Sequence, residues 1–161
     1  MSIKVGDTLP DATLISITPS GPAPLATHDL FSGKKVVLFG VPGAYTGVCT
    51  KQHMPGYVQD AEAIKAKGVD TIACLAVNDP AVLTAWSKDT GADGKILMLS
   101  DWNAEYIKQL GLDFDGSKFG LGTRSKRFSA VVDNGVVKEL NVEDSPGQVT
   151  TTSAANALCQ L

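Results

Sequence analysis

Two short runs, "KKVVLFG" (Lys34 to Gly40) and "DTIACLAV" (Asp70 to Val77), constrain this chain more than anything else in it. Both are almost continuously apolar and rich in branched side chains. A strand with one wet face alternates apolar with polar residues, so a run without alternation must be buried on both faces of a sheet. Such strands need helices above and below them. The intervening segments supply these. After "VNDP", Asp79 is a helix cap and Pro80 takes the first helical position, Val82, Leu83 and Trp86 share one face, and Gly91 stops the helix. "ILMLS" (Ile96 to Ser100) reads as a third buried strand, and "DWNAEYIKQLG" as a helix whose stripe is Tyr106, Ile107 and Leu110, ended by Gly111.

Towards the C-terminus the period changes to two. "RFSAVVDNGVVKELNV" alternates around Asn134-Gly135, a strong signal for a tight antiparallel hairpin. The alternation puts Phe128, Ala130 and Val132 on one face and Arg127 with Ser129 on the other. "TTTSAANALCQL" closes the chain as a helix, while "TPSGPAP" (Thr18 to Pro24) and "GLDFDGSKFGLG" (Gly111 to Gly122) read as loops. No repeat or linker interrupts the 161 residues, so the expectation is one α/β domain spanning 1–161, with a central mixed sheet flanked by helices and a C-terminal β-hairpin and helix.

Net charge −3 with scattered cations leaves no basic stripe for nucleic acid. No window approaches the roughly 18 uncharged apolar residues of a membrane span. "MSIKVGDTLP" has neither an apolar signal core nor an Arg-rich amphipathic pattern, so a cytoplasmic location is expected. Cys49, Cys74 and Cys159 form no CxxC and too few pairs for a disulfide framework. They should rest as thiols, and their odd count and spacing argue against structural zinc. "DFDG" lacks the remaining ligands of a calcium loop and "GLGTRS" lacks the third glycine of a phosphate loop.

The stretch "VPGAYTGVCTKQH" (Val41 to His53) follows the first buried strand, the place where α/β proteins gather reactive groups. The helix it opens carries Met54, Tyr57, Ala61 and Ile64 on one face, with a kink expected at Pro55-Gly56. Cys49 thus belongs to the first turn, where unpaired amides and the positive end of the helix dipole favour thiolate over thiol. Thr46 can aim its hydroxyl into the same turn, and Pro42 can wall it without adding a donor. As residue types alone, a cysteine and a threonine here also fit a buried filler and a cap.

Pro42, Thr46 and Cys49 match the PxxxTxxC signature of peroxiredoxins. The context "PGAYTGVCTKQHMPGY" resembles the type II, or Prx5-like, subfamily, and the resemblance continues through "GDTLPDATL", "LAVNDPAVLTAW", "LSDWNAEY" and "GLGTRSKRFSAVVDNGVVKELNVE". It implies a thioredoxin-like fold and a thiol peroxidase for hydrogen peroxide and alkyl hydroperoxides. Cys49 would be the peroxidatic residue that becomes sulfenic acid, and Thr46 would hydrogen-bond the peroxide. Arg127, in "KRFSAVV", would hold the thiolate and donate to the peroxide, whereas Arg124 and Lys126 read as solvated charges. The resemblance calls for no cofactor and no metal, and it implies a homodimer formed near the active-site loops.

Two other classes compete. His53 stands one helical turn after Cys49, so a Cys/His acyl-transfer hydrolase is one alternative, although no third group or oxyanion hole is nominated and His53 also suits packing or hydrogen bonding in the kinked helix. A noncatalytic redox sensor is the other. Cys74 reads as a small core residue, Cys159 lies near a chain end, and Thr151 stands at the subfamily's resolving position, so Cys74 and Cys159 are the internal candidates for resolving the sulfenic acid. External glutathione with glutaredoxin is the favoured reductant, ahead of thioredoxin.

Overall fold

The runs expected to be buried strands form the centre of the sheet. The computed structural model describes residues 2–161. In chain order it places β1 (Thr13–Thr18), β2 (Gly21–Ala26), α1 (Thr27–Phe31), β3 (Lys35–Val41), a π-helical turn (Cys49–His53) running into α2 (Met54–Ala66), β4 (Thr71–Ala76), α3 (Pro80–Asp89), β5 (Leu97–Ser100), α4 (Glu105–Leu110), β6 (Asp113–Asp115), β7 (Thr123–Ser125), β8 (Phe128–Asp133), β9 (Val136–Val142) and α5 (Ala154–Gln160). The main sheet has the order β2-β1-β5-β4-β3-β8-β9. β3, β4 and β5 run parallel, and every other pairing is antiparallel.

The absence of alternation in β3 now has its reason. Val37, Phe39 and Val41 enter a cluster with Tyr57, Ile64 and Trp86 from α2 and α3, while Val36 and Leu38 enter another with Phe31, Tyr106 and Ile107. The caps form as expected: Asp79 accepts from the Val82 amide at 2.8 Å, and Gly111 ends α4 at φ +70°. Asn134 and Gly135, at φ +49° and +80°, make the tight turn between β8 and β9.

Three expectations need correction. Thr18 to Pro24 is no mere loop: Gly21–Ala26 is the edge strand β2, paired with β1. Pro22 and Pro24 are exposed along it, because an edge strand has no outer neighbour to receive the missing N–H groups. Within Gly111 to Gly122, β6 pairs with β7 in a small second sheet, too short at three residues to leave a period in the sequence. The helix irregularity lies ahead of Pro55. The Met54 amide donates to Cys49 O, five residues back. Proline has no N–H and its ring crowds the carbonyl four residues before it, so a turn widened by one residue accommodates it.

Candidate active site

β3 ends at Val41, and the chain turns through Pro42–Thr46 before Thr50 N–H closes the first helical bond, to Thr46 O at 3.0 Å. The amides of Gly47, Val48 and Cys49 therefore precede the bonded ladder, as the N-terminus of a helix requires. The turn is pinned from several sides. Ala44 N–H donates to Asn78 Oδ1 at 2.9 Å, the Tyr45 hydroxyl donates to Asp89 on α3 at 2.6 Å, and Thr46 Oγ1 donates to Gly43 O at 2.6 Å. Tyr45 holds φ +62°, a left-handed conformation that a non-glycine residue adopts only when its surroundings enforce it.

Arg124 is not the solvated charge expected of it. Its Nη1 donates to Pro42 O at 3.2 Å and its Nε to Leu121 O at 3.0 Å, tying the turn to the β6–β7 hairpin. A Cβ on Gly43 would stand 2.6 Å from that Nη1, which is why glycine occupies the position. Lys126 is exposed, as expected.

Arg127 precedes β8 and reaches Cys49. Its Nη2 donates to Cys49 Sγ at 3.1 Å, Nη2 and Nε donate to Pro146 O at 2.8 and 3.1 Å, and Nη1 meets His53 Nδ1 at 2.8 Å. Arg127 is only 2% exposed, yet among the described residues no carboxylate pairs with it, and Lys4–Asp7 is the one ion pair. A buried cation without an anion is costly, and the sole contact able to become one is the Cys49 thiol.

An apolar cleft of about 350 Å³ opens above this group. It is lined by Pro42, Thr46 and Val48 of the turn, by Phe114, Phe119 and Leu121 of the β6–β7 region, and by Arg127 and Pro146. Thr46 has spent its hydroxyl proton on Gly43, so towards the cleft it offers an oxygen that accepts.

The candidate residues are not all gathered here. Cys74 is fully buried within β4, and burial pushes its thiol well up, with Cys49 adding to the shift. Cys159 is exposed on α5, and all three cysteines are free. Glu143, Pro146 and Thr152 join the Arg127 network although nothing in the sequence singled them out. Glu143 takes hydrogen bonds from Thr150 and Thr152; burial pushes its carboxyl up, but those bonds outweigh burial and hold it at about 2.

His53 is buried and hydrogen-bonded, and its Nδ1 faces Arg127, so it has no free base for a Cys49 acyl-transfer reaction. Burial, then the Arg127 charge, lower its pKa to about 3.

The Redoxin family profile matches residues 4–158. Peroxiredoxin-2E, chloroplastic, of Arabidopsis thaliana is 45% identical over 161 residues, which cover 98% of this chain and 68% of that one. The chain belongs to the peroxiredoxins. Reduced Prx3 of Vibrio vulnificus in complex with hydrogen peroxide superposes with a TM-score of 0.91 at 46% identity over 98% of both chains. Peroxiredoxin 5 of Alvinella pompejana gives 0.84 at 35%, over 98% of this chain and 97% of that one. This peroxiredoxin has the thioredoxin-like fold and is a thiol-dependent peroxidase acting through a peroxidatic cysteine, with a hydroperoxide as substrate and a thiol as reductant.

Proposed function

We propose that Cys49 is the peroxidatic residue, Arg127 its activating donor, Thr46 the acceptor that orients the peroxide and Pro42 the wall that keeps water from competing. The observation that carries this is the buried Arg127 guanidinium, unpaired with any carboxylate and 3.1 Å from Cys49 Sγ. The hydroperoxide enters the cleft and donates its O–H to Thr46 Oγ1. The thiolate attacks the nearer oxygen. The S–O bond forms as the O–O bond breaks, sulfur is oxidised by two electrons to sulfenic acid, and the departing alkoxide or hydroxide leaves as alcohol or water after taking a proton from solvent. Arg127 hydrogen-bonds the oxygens as charge moves onto them. Val48, Phe114, Phe119 and Leu121 give the organic group of an alkyl hydroperoxide an apolar surface.

Recycling falls to an external thiol. Thr151 cannot resolve a sulfenic acid and Cys74 is enclosed in the sheet. Glutathione attacks the sulfenic sulfur, water leaves, and glutaredoxin removes glutathione from the mixed disulfide by thiol exchange. Since Cys49 is fully buried and does not line the cleft, the first turn must shift to bring its sulfur to the peroxide and open further to admit so large a thiol. The exposed aromatic side chains Tyr45, Trp102 and Phe119, the last on a single 3-10 turn, lie on connections at the active-site end of the sheet, and support a homodimer formed there. A cytoplasmic location suits three unpaired cysteines. Peroxide turnover with glutathione and glutaredoxin in one arm and thioredoxin with its reductase in the other tests the assignment. Turnover in the first arm is expected, and turnover only in the second would reject the glutathione cycle.

A further inference from the structure

Arg127 has five N–H donors and no lone pair, so where its Nη1 meets His53 Nδ1 at 2.8 Å the imidazole nitrogen must be the acceptor. The proton of the neutral ring then sits on Nε2, which donates to Thr152 O at 3.0 Å. Tyr57 donates to the same carbonyl at 2.9 Å. Thr152 is fixed in turn: its N–H and Oγ1 both donate to Glu143 Oε1, at 3.0 and 2.9 Å, and Thr150 adds two more bonds to that carboxylate. Glu143 N–H donates to Arg127 O at 3.0 Å, which closes the circuit. The ring of contacts leaves the Arg127 backbone through Glu143, crosses Thr152 and His53, and returns to the Arg127 guanidinium. His53, Thr152 and Arg127 are each no more than 2% exposed.

We propose that His53, held by the Glu143–Thr152 clamp, is a positioning residue for Arg127: it fixes the guanidinium so that Nη2 points at Cys49 Sγ. Pro146 O alone constrains Nε and Nη2 but leaves Nη1 without an acceptor, and a guanidinium free to turn about that carbonyl loses its aim at sulfur. Burial and the adjacent cation keep the imidazole neutral to a pKa of about 3, so its Nδ1 lone pair stays available. The competing role for His53 is purely steric, as a ring packed 5.0 Å from Phe39 and 5.5 Å from Tyr57.

The inference rests on Cys49 being the reacting thiol, and three substitutions at one position separate it from a steric role. His53→Asn keeps an acceptor where Nδ1 stands. His53→Gln keeps a donor where Nε2 stands and loses that acceptor, and His53→Leu keeps bulk alone. The readout is the rate of iodoacetamide alkylation at Cys49, followed on its own peptide by mass spectrometry, beside the melting temperature of each variant. His53→Asn is expected within about threefold of the parent, and His53→Gln and His53→Leu about tenfold or more below it, the loss that a missing partner for a buried charged donor produces. Glu143→Gln, which loosens the clamp, should slow alkylation by about threefold. A Gln variant as fast as the Asn variant, rates that track melting temperature alone, or an unchanged Leu variant overturns the role of His53, and an unchanged Glu143→Gln rate overturns that of the clamp. Alkylation involves no peroxide, so a parent inert to peroxide would defeat the reading of Cys49 and leave this ranking intact.

Discussion

Cys49 and Cys74 are equally hidden, each at 0% exposure in the same packed cluster, yet only Cys49 has a cationic side chain against its sulfur. Cys74 lies in the middle of β4, whose backbone bonds are committed to β3 and β5. Among the described residues no side chain donates to it, and burial pushes its thiol well up. Cys49 sits where a strand has ended and a helix begins, with a buried guanidinium at 3.1 Å. Burial by itself makes a thiolate expensive. A donor cation buried beside a sulfur favours the charged form, so under the proposed assignment neighbours and not exposure separate the two cysteines.

The largest effect that contrast forecasts is for Cys49→Ser, which should abolish peroxide reduction while leaving the melting temperature close to that of the parent. A hydroxyl at that site supplies no nucleophile, and peroxidase activity surviving in the variant would break the assignment. Arg127→Ala comes next, because it moves Cys49 towards the situation of Cys74. Losing a charge-assisted contact at the reacting atoms is worth about 2 to 4 kcal/mol of transition-state stabilisation, or roughly 30- to 1,000-fold in the rate of peroxide attack. Stopped-flow kinetics of sulfenic acid formation measure it, and a loss below threefold would place Arg127 outside the reaction.

The halves of this site were unequally legible in the sequence. Pro42, Thr46 and Cys49 lie within one turn and its helix start, so local patterning placed them together. Arg127 is brought to Cys49 by the pairing of β3 with β8, which no local pattern encodes, and only the family resemblance nominated it. Glu143, Pro146 and Thr152 escaped notice because a carboxylate, a proline carbonyl and a threonine at those positions look like any polar connection. Their roles exist only once β9 and the segment after it fold back over Arg127. The buried parallel strands were legible because continuous apolar runs have few alternatives. Edge strand β2 was not, since the prolines that protect an edge are the residues that ordinarily mark a loop.

Acid should attack the surroundings of Cys49 before those of Cys74. His53 has a folded value of about 3 against an ordinary 6.5, so the unfolded chain takes up this proton first, and stability falls as pH drops through 6.5 towards 3. Glu143 has a folded value of about 2 against 4.5, so its contribution is complete above 4.5 and is lost as pH falls from there towards 2. Urea midpoints measured against pH should therefore decline in two overlapping windows. His53→Asn flattens the curve between about 6.5 and 4.5, and Glu143→Gln flattens it only below about 4.5. A His53→Asn curve parallel to that of the parent above 4.5 would show that the imidazole gains no proton on unfolding there.

The smallest expected effect is also the most telling about recycling. If Cys74 is inert because nothing in the sheet stabilises its thiolate, and Cys159 is a surface thiol on α5 outside the Arg127 network, then neither contributes to turnover. The Cys74→Ser/Cys159→Ser variant should reduce peroxide with glutathione and glutaredoxin at the parental rate, within about twofold. It should be somewhat less stable, because a serine hydroxyl in the middle of β4 has no free partner and costs about 1 to 3 kcal/mol. Stability and activity thus move apart in this variant, whereas in Arg127→Ala the activity falls. Lost turnover, together with an intramolecular disulfide mapped in the oxidised parent, would mean that the sheet opens far enough during catalysis for Cys74, or α5 far enough for Cys159, to reach the sulfenic acid. The distinction between the two buried cysteines would then belong to the resting state alone, and thioredoxin would replace glutaredoxin as the expected reductant.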